Sequence, residues 1–187
     1  MFILILGAPG SGKGTQGRLL AERLGIPKIA TGDILRAAVQ QGTPLGRQAK
    51  KFMDAGNLVP DTIILDLIQA ELATSAAADG AVLDGFPRTA AQAELVDKLL
   101  AARGHRLNHV LLLDVDESEL VRRILERARI EGRSDDTEAA VRTRLAVYQR
   151  DTAPLVAHYA PFGNLHRVPG MGTVDEIARE IKRVVGR

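Results

Sequence analysis

The chain contains no cysteine and no tryptophan, and aromatic residues make up only 3% of its 187 positions. Without cysteine there is no disulfide framework and no thiolate metal site, so a reducing compartment is compatible and a cysteine-held zinc is excluded. So few aromatic rings leave the core to Leu, Ile, Val and Ala. Charge of one sign is also lacking: 25 basic residues stand against 23 acidic ones, a formal net charge of +2. The arginines are scattered along the chain and form no basic stripe, so nothing argues for nucleic acid as a partner. No apolar run approaches the roughly 18 residues of a membrane span. The apolar stretch Phe2–Leu6 is too short for a signal-peptide core and leads straight into glycine. A soluble, cytoplasmic, single-domain protein with no membrane partner is expected.

What is present alternates. Phe2–Leu6 reads as a strand buried on both faces, Lys13–Leu24 as a helix stopped by Gly25-Ile26-Pro27, and Lys28–Ala30 as a short second strand. Three helical segments follow, near 33–41, 45–54 and 61–74, separated by Gly42-Thr43-Pro44 and by Gly56–Pro60. Further strands are expected at Ala81–Leu83, ending at Asp84, and at His109–Asp114 and Leu165–Val168. Helices are expected at Ala90–Arg103, from Glu117, at Thr137–Tyr159 broken or kinked near Pro154, and at Val174–Val185; Gly132–Asp136 is a polar break. Strands alternating with helices predict an α/β fold, a three-layer core with a central parallel sheet. The consecutive helices from 33 to 74 read as an inserted helical lobe.

Gly7-Ala-Pro-Gly-Ser-Gly-Lys13 follows the first strand and matches the first seven positions of the phosphate-loop pattern G-x-x-x-x-G-K-[ST]. Glycines let successive N–H groups turn inward on phosphate oxygens, and the helix beginning near Lys13 adds its positive end. Lys13 would reach the β- and γ-phosphates. The expected Ser/Thr position holds Gly14, with Thr15 one place later.

The longer string Gly7 to Gln16 resembles the opening of adenylate kinases and related nucleoside monophosphate kinases, in which Gly-Thr after the lysine is usual. The resemblance continues, in family order, through Thr31-Gly-Asp-Ile-Leu-Arg36, Asp84-Gly-Phe-Pro-Arg88 with Gln92, and Gly132-Arg-Ser-Asp-Asp136 with Arg142 and Arg144. It implies a P-loop core (about 1–30, 75–128 and 138–187), a monophosphate-binding lobe (about 31–60) and a short lid without zinc (about 129–137). It further implies a monomer that uses Mg2+ with ATP and handles ATP, AMP and ADP. Gly10, Ser11, Gly12, Lys13, Gly14 and Thr15 would hold ATP, together with Arg127 and the Gly170-Met-Gly172 loop. Thr31, Arg36, Gly56, Leu58, Val59, Gly85, Arg88 and Gln92 would hold AMP, with Arg133 and Arg144 shared between the nucleotides. Lys13, Arg88, Arg123, Arg133 and Arg144 would stabilise the transferring group, and Asp84 would hold magnesium through water.

These roles suit the chemistry, because phosphoryl transfer needs charge stabilisation and positioning more than it needs a nucleophile. Planar arginine forks grip phosphate bidentately. Simpler roles stay open for several residues. Asp33 suits either a helix N-terminus or magnesium's outer sphere, and Asp135 with Glu138 either a helix cap or the orientation of lid arginines. Thr31 and Thr89-x-x-Gln92 read equally as helix caps and as adenine contacts. Arg122, Arg129, Arg142 and Arg150 read as solvated, and the four histidines (His105, His109, His158, His166) cluster with nothing. Gln92 favours AMP over the pyrimidine monophosphates UMP and CMP. A pyrimidine nucleotide kinase of the same fold is the alternative, and an NTP hydrolase a more distant one.

Overall fold

The computed structural model describes residues 1–131 and 137–186. Among them five parallel strands form one sheet in the order β2-β3-β1-β4-β5: β1 Phe2–Leu6, β2 Lys28–Ala30, β3 Ala81–Asp84, β4 Leu107–Asp114 and β5 Leu165–Pro169. β1 lies at the centre, in register with β3 from Phe2↔Ala81 to Ile5↔Asp84 and with β4 from Ile3↔His109 to Leu6↔Leu112. Its unbroken apolar run follows from that place, since a central parallel strand is covered on both faces. Phe2, Leu4 and Leu6 enter one core cluster and Ile3 and Ile5 the other, as the two-residue period of a strand requires.

The helices are α1 Lys13–Leu24, α2 Thr31–Gln40, α3 Pro44–Asp54, α4 Asp61–Leu72, α5 Ala90–Ala101, α6 Glu117–Glu131, α7 Glu138–Val147, α8 Leu155–Tyr159 and α9 Val174–Val185. One face of the sheet is covered by α1 and α9, where Ile177, Ile181 and Val185 repeat every fourth residue and pack with Leu20 and Ala21 against Ile3, Ile5 and Val82. A capping box between Thr173 and Glu176 starts α9. The opposite face is covered by α4, α5 and α8 through residues such as Ile68, Leu72, Val96, Leu100 and Leu155. α2 and α3 form a helical hairpin, α3 opening with Thr43 accepting from Gly46 N and Pro44 in its first turn.

One expectation is corrected. Thr31 does not cap α2: it lies inside the helix, the cap position belongs to Ala30, and the Thr31 hydroxyl donates to Gly85 O at 2.9 Å. The long helix over 137–159 is broken near Pro154, as expected, and the break takes the form of a π-helical turn. Tyr148–Thr152 form a π-helical turn, with Ala153 N donating to Tyr148 O at 2.8 Å. Proline has no N–H and its ring crowds the carbonyl four residues back, so the chain takes up an extra residue upstream. Gly132–Asp136 lie outside the described residues, and with them the expected Asp135 cap; Thr137 opens α7 by accepting from Ala140 N. Among the described residues no helix is long and apolar enough to cross a membrane.

Candidate functional site

β1 and β4 are neighbours whose following segments leave in opposite directions, and in open α/β sheets such a point makes a crevice beyond the strand ends. The loop 7–12 sits there. Gly10 adopts φ +85°, and a Cβ on it would come within 2.7 Å of Leu120 O on α6. Both the backbone sign and the close approach therefore require glycine. α1 starts after Gly12 with no side-chain cap, so its first N–H groups face the crevice as an anion site. Lys13 Nζ donates to Ala8 O at 2.8 Å, folding the side chain back along the loop. Burial pulls its ammonium down to about 8, Asp84 opposes that shift, and Arg88, Arg144 and Arg127 reinforce it. Three guanidiniums thus act on one lysine, opposed by Asp84. Such a field favours a polyanion.

Asp84 closes β3 with its side chain 13% exposed, 3.8 Å from Lys28 Nζ. Its Oδ2 lies 3.7 Å from the position a Cβ would take on Gly14, beneath the start of α1. Lys28 also binds Asp33 Oδ2 at 3.1 Å, and Asp33 binds Arg36 Nη2 at 2.6 Å. Burial raises the Asp33 carboxyl, but the hydrogen bonds from Arg36 and Lys28, with their charges, together hold it below the usual carboxylate range. Among the described residues no three His, Cys, Asp or Glu side chains stand together as a metal-holding group. A lone carboxylate at the mouth of a phosphate loop fits a cation that keeps its waters and takes its other ligands from phosphate, as Mg2+ does.

A cleft of about 870 Å³ runs along the loop and α1, lined by Gly12, Lys13, Gly14, Thr15, Arg123, Arg127 and Gly172 among others. That volume is within the range of nucleotide-sized sites. A narrower pocket opens beside it, lined by Thr31, Arg36, Gly56, Leu58, Val59, Gly85 and Gln92. Arg36, Arg88 and Arg144 border both. Arg88 is fixed at three points: its N–H donates to Gln92 Oε1 at 2.8 Å, its Nε to Gly85 O at 2.7 Å, and its carbonyl accepts from Thr152 Oγ1 at 2.9 Å. Burial first, then Arg144, lowers its guanidinium to about 10; it stays charged at neutral pH. Gly56 packs against α7, beside Ala140, Thr143 and Arg144, so the helical hairpin touches the helix that carries Arg144.

On α6, Arg123 donates to Glu119 at 2.7 Å and to Gly170 O at 2.9 Å, tying that helix to the loop before α9. Glu119 is held down to about 2 by Arg122 and then Arg123. Arg127 acts on Lys13 and helps lower it. Arg133 lies outside the described residues. Arg122, Arg142 and Arg150 make exposed pairs with neighbouring carboxylates.

Several side chains that bind site residues carry no sequence signal. Lys28, Asp61 and Thr152 find partners far along the chain, Asp61 binding Gln92 Nε2 at 2.5 Å. Gln92 therefore does not complete a reciprocal cap: Thr89 accepts from Gln92 N, but the Gln92 side chain serves Arg88 and Asp61. The histidines are not all isolated, since His109 Nδ1 lies 3.3 Å from His166 Nε2. Burial, then His166, lowers the His109 imidazole.

Fold and crevice define a P-loop protein of the class that binds nucleotide phosphates at the end of a central strand. Sequence comparison narrows the class. The adenylate kinase family model matches residues 5–164. An adenylate kinase of Thermus thermophilus is 53% identical over 184 residues, covering 98% of this chain and 96% of that protein. Those of Thermobifida fusca (49% identical; 96% and 95% covered) and Stenotrophomonas maltophilia (51%; 97% and 97%) are similar over the same extent. The chain belongs to the adenylate kinase family.

Proposed function

We propose that the chain catalyses reversible phosphoryl transfer between Mg·ATP and AMP to give two ADP, maintaining the balance of adenine nucleotides. The observation that carries this is the shared wall of the two clefts: Arg36, Arg88 and Arg144 stand where the phosphate-loop cleft meets the pocket of Thr31 and Gln92. Two nucleotides entering from opposite sides would meet phosphate to phosphate across these guanidiniums.

ATP lies along Gly10, Ser11, Gly12, Lys13, Gly14 and Thr15, with Arg127 on its phosphates and the Gly172 loop beside its base. AMP lies against Thr31, Gly56, Leu58, Val59, Gly85 and Gln92, its phosphate on Arg36 and Arg88. Lys13, Arg88 and Arg144, with Arg123 and Arg133 from the lid side, offset the negative charge that spreads over the transferring group. Asp84 would hold magnesium through water, and the ion would neutralise part of the phosphate charge when bound with ATP. Residues near 31–60 form the monophosphate lobe and those near 129–137 the lid, both closing on the core 1–30, 75–128 and 138–187. Closure excludes water and protects ATP from hydrolysis. Gln92 and the adenylate kinase relatives favour AMP over UMP or CMP as acceptor.

The enzyme is proposed to act as a monomer in the cytoplasm; sedimentation near 20.1 kDa agrees with this, and twice that mass does not. The direct test of the activity is to supply Mg2+ and ADP alone. Equal amounts of ATP and AMP are expected, and absence of product from ADP overturns the proposal.

A further inference from the structure

Gln92 is 3% exposed, and both ends of its amide are engaged. Oε1 accepts from the Arg88 N–H at 2.8 Å, and Nε2 donates to Asp61 Oδ1 at 2.5 Å. The assignment of oxygen and nitrogen is forced by the partners. A backbone N–H only donates and an ionised carboxylate only accepts, so the reverse orientation would set donor against donor and acceptor against acceptor. Asp61 does not line the pocket that Gln92 lines. It opens α4 on the far side of the amide, 31 residues away in sequence.

Each end of the amide keeps one further capacity, a lone pair on Oε1 and a hydrogen on Nε2. Their order is that of a base edge that offers a donor beside an acceptor, as a 6-amino purine does. A 6-oxo purine offers the two in reverse order and would need the amide turned over. We propose that Asp61 is a specificity-determining positioning residue: together with the Arg88 N–H, it locks the Gln92 amide in the orientation that accepts a 6-amino purine monophosphate and rejects a 6-oxo one. The proposal rests on the AMP reading of this pocket. It differs from that reading in assigning discrimination to a carboxylate that never touches the nucleotide. A site that reads a base by hydrogen bonds discriminates strongly because the wrong edge leaves buried groups unpaired. Release of the lock therefore shows as loss of selectivity more than as loss of turnover.

The test compares AMP with IMP as acceptors at saturating Mg·ATP in the wild-type enzyme and in D61N, D61A and D61E. Asn can turn to meet either end of the amide and Ala meets neither, so in both the AMP-to-IMP ratio of kcat/KM is expected to fall by about tenfold. D61E keeps an acceptor-only carboxylate and is expected to retain most of the ratio. A carboxylate that served only the N-terminus of α4 would shift the melting temperature and leave the ratio unchanged. An unchanged ratio in D61N and D61A, in an enzyme that phosphorylates AMP, overturns the role of Asp61 and spares the activity. A wild-type enzyme that does not phosphorylate AMP overturns the activity itself. Independently of turnover, the Gln92 side-chain NH2 signals of the ligand-free protein are expected to move toward free-amide positions in D61A. Unmoved signals overturn the contact.

Discussion

Gly56→Ala perturbs the approach of the helical hairpin to α7 directly. Gly56 adopts φ +74°, and a Cβ there would lie 2.5 Å from Ala140 O, 3.1 Å from Arg144 Cγ and 3.2 Å from Thr143 Cβ. The first of these is backbone and cannot yield by changing rotamer. Relief to an ordinary carbon–oxygen contact of about 3.3 Å requires the helical hairpin and α7 to separate by about 0.8 Å. Left-handed backbone costs alanine about 1 kcal/mol, and reduced freedom of the unfolded chain offsets part of that. The melting temperature is therefore expected to fall by only about 2–4 °C. Misplacement on the order of 1 Å costs a positioned reaction up to about a hundredfold, so kcat should fall roughly ten- to a hundredfold and KM for AMP should rise. The assay is initial velocity against AMP at saturating Mg·ATP. Gly25→Ala is the control: Gly25 has φ +65° with nothing within 4 Å of its would-be Cβ, so it carries the backbone cost without the contact. If Gly56→Ala matched Gly25→Ala in both kcat and KM, approach of the hairpin to α7 would have no part in turnover.

Two further outcomes follow from the crevice. Lys13 is lowered from 10.5 to about 8, so at pH 8 about half of the folded, ligand-free enzyme has lost this proton. A bound polyphosphate favours the charged form, and ATP binding at pH 8 should take up about half a proton, falling toward none at pH 6. Calorimetry in buffers of different ionisation enthalpy reads this directly, and a Lys13→Met enzyme that took up the same fraction would assign the proton elsewhere. Thr152→Val keeps the shape but removes the hydroxyl that holds Arg88 O. It should cost about 1–2 kcal/mol in chemical denaturation and raise KM for AMP, whereas Thr152→Ser should restore both; equal behaviour of the two variants would dismiss the hydrogen bond.

Where structure followed local pattern, the sequence made it readable. β1 and α1 were placed by an unbroken apolar run and by glycine at both helix ends, and α9 by its four-residue apolar period. Motif order placed the phosphate loop and the residues around Arg36, Arg88 and Gln92. What stayed hidden depends on partners distant along the chain. Thr31 looks like a cap until its hydroxyl is seen on Gly85, 54 residues away, and Asp61 looks like a first-turn acid until it is seen on Gln92. Thr152 is an ordinary polar residue before a proline until its hydroxyl reaches Arg88, 64 residues away. Pro154 announces an irregularity but not that it takes the form of a π-helical turn over Tyr148–Thr152.

The account turns on positive groups gathered from separate segments around two opposed phosphate chains. Binding of a single molecule carrying two adenosines joined through their 5′ ends by a five-phosphate bridge measures that convergence. Nanomolar affinity at one site per chain is expected, with a loss of at least about tenfold, equivalent to about 1.4 kcal/mol, on replacing Lys13, Arg88 or Arg144 singly. Affinity no better than that of ATP alone, or indifference to all three replacements, would contradict it.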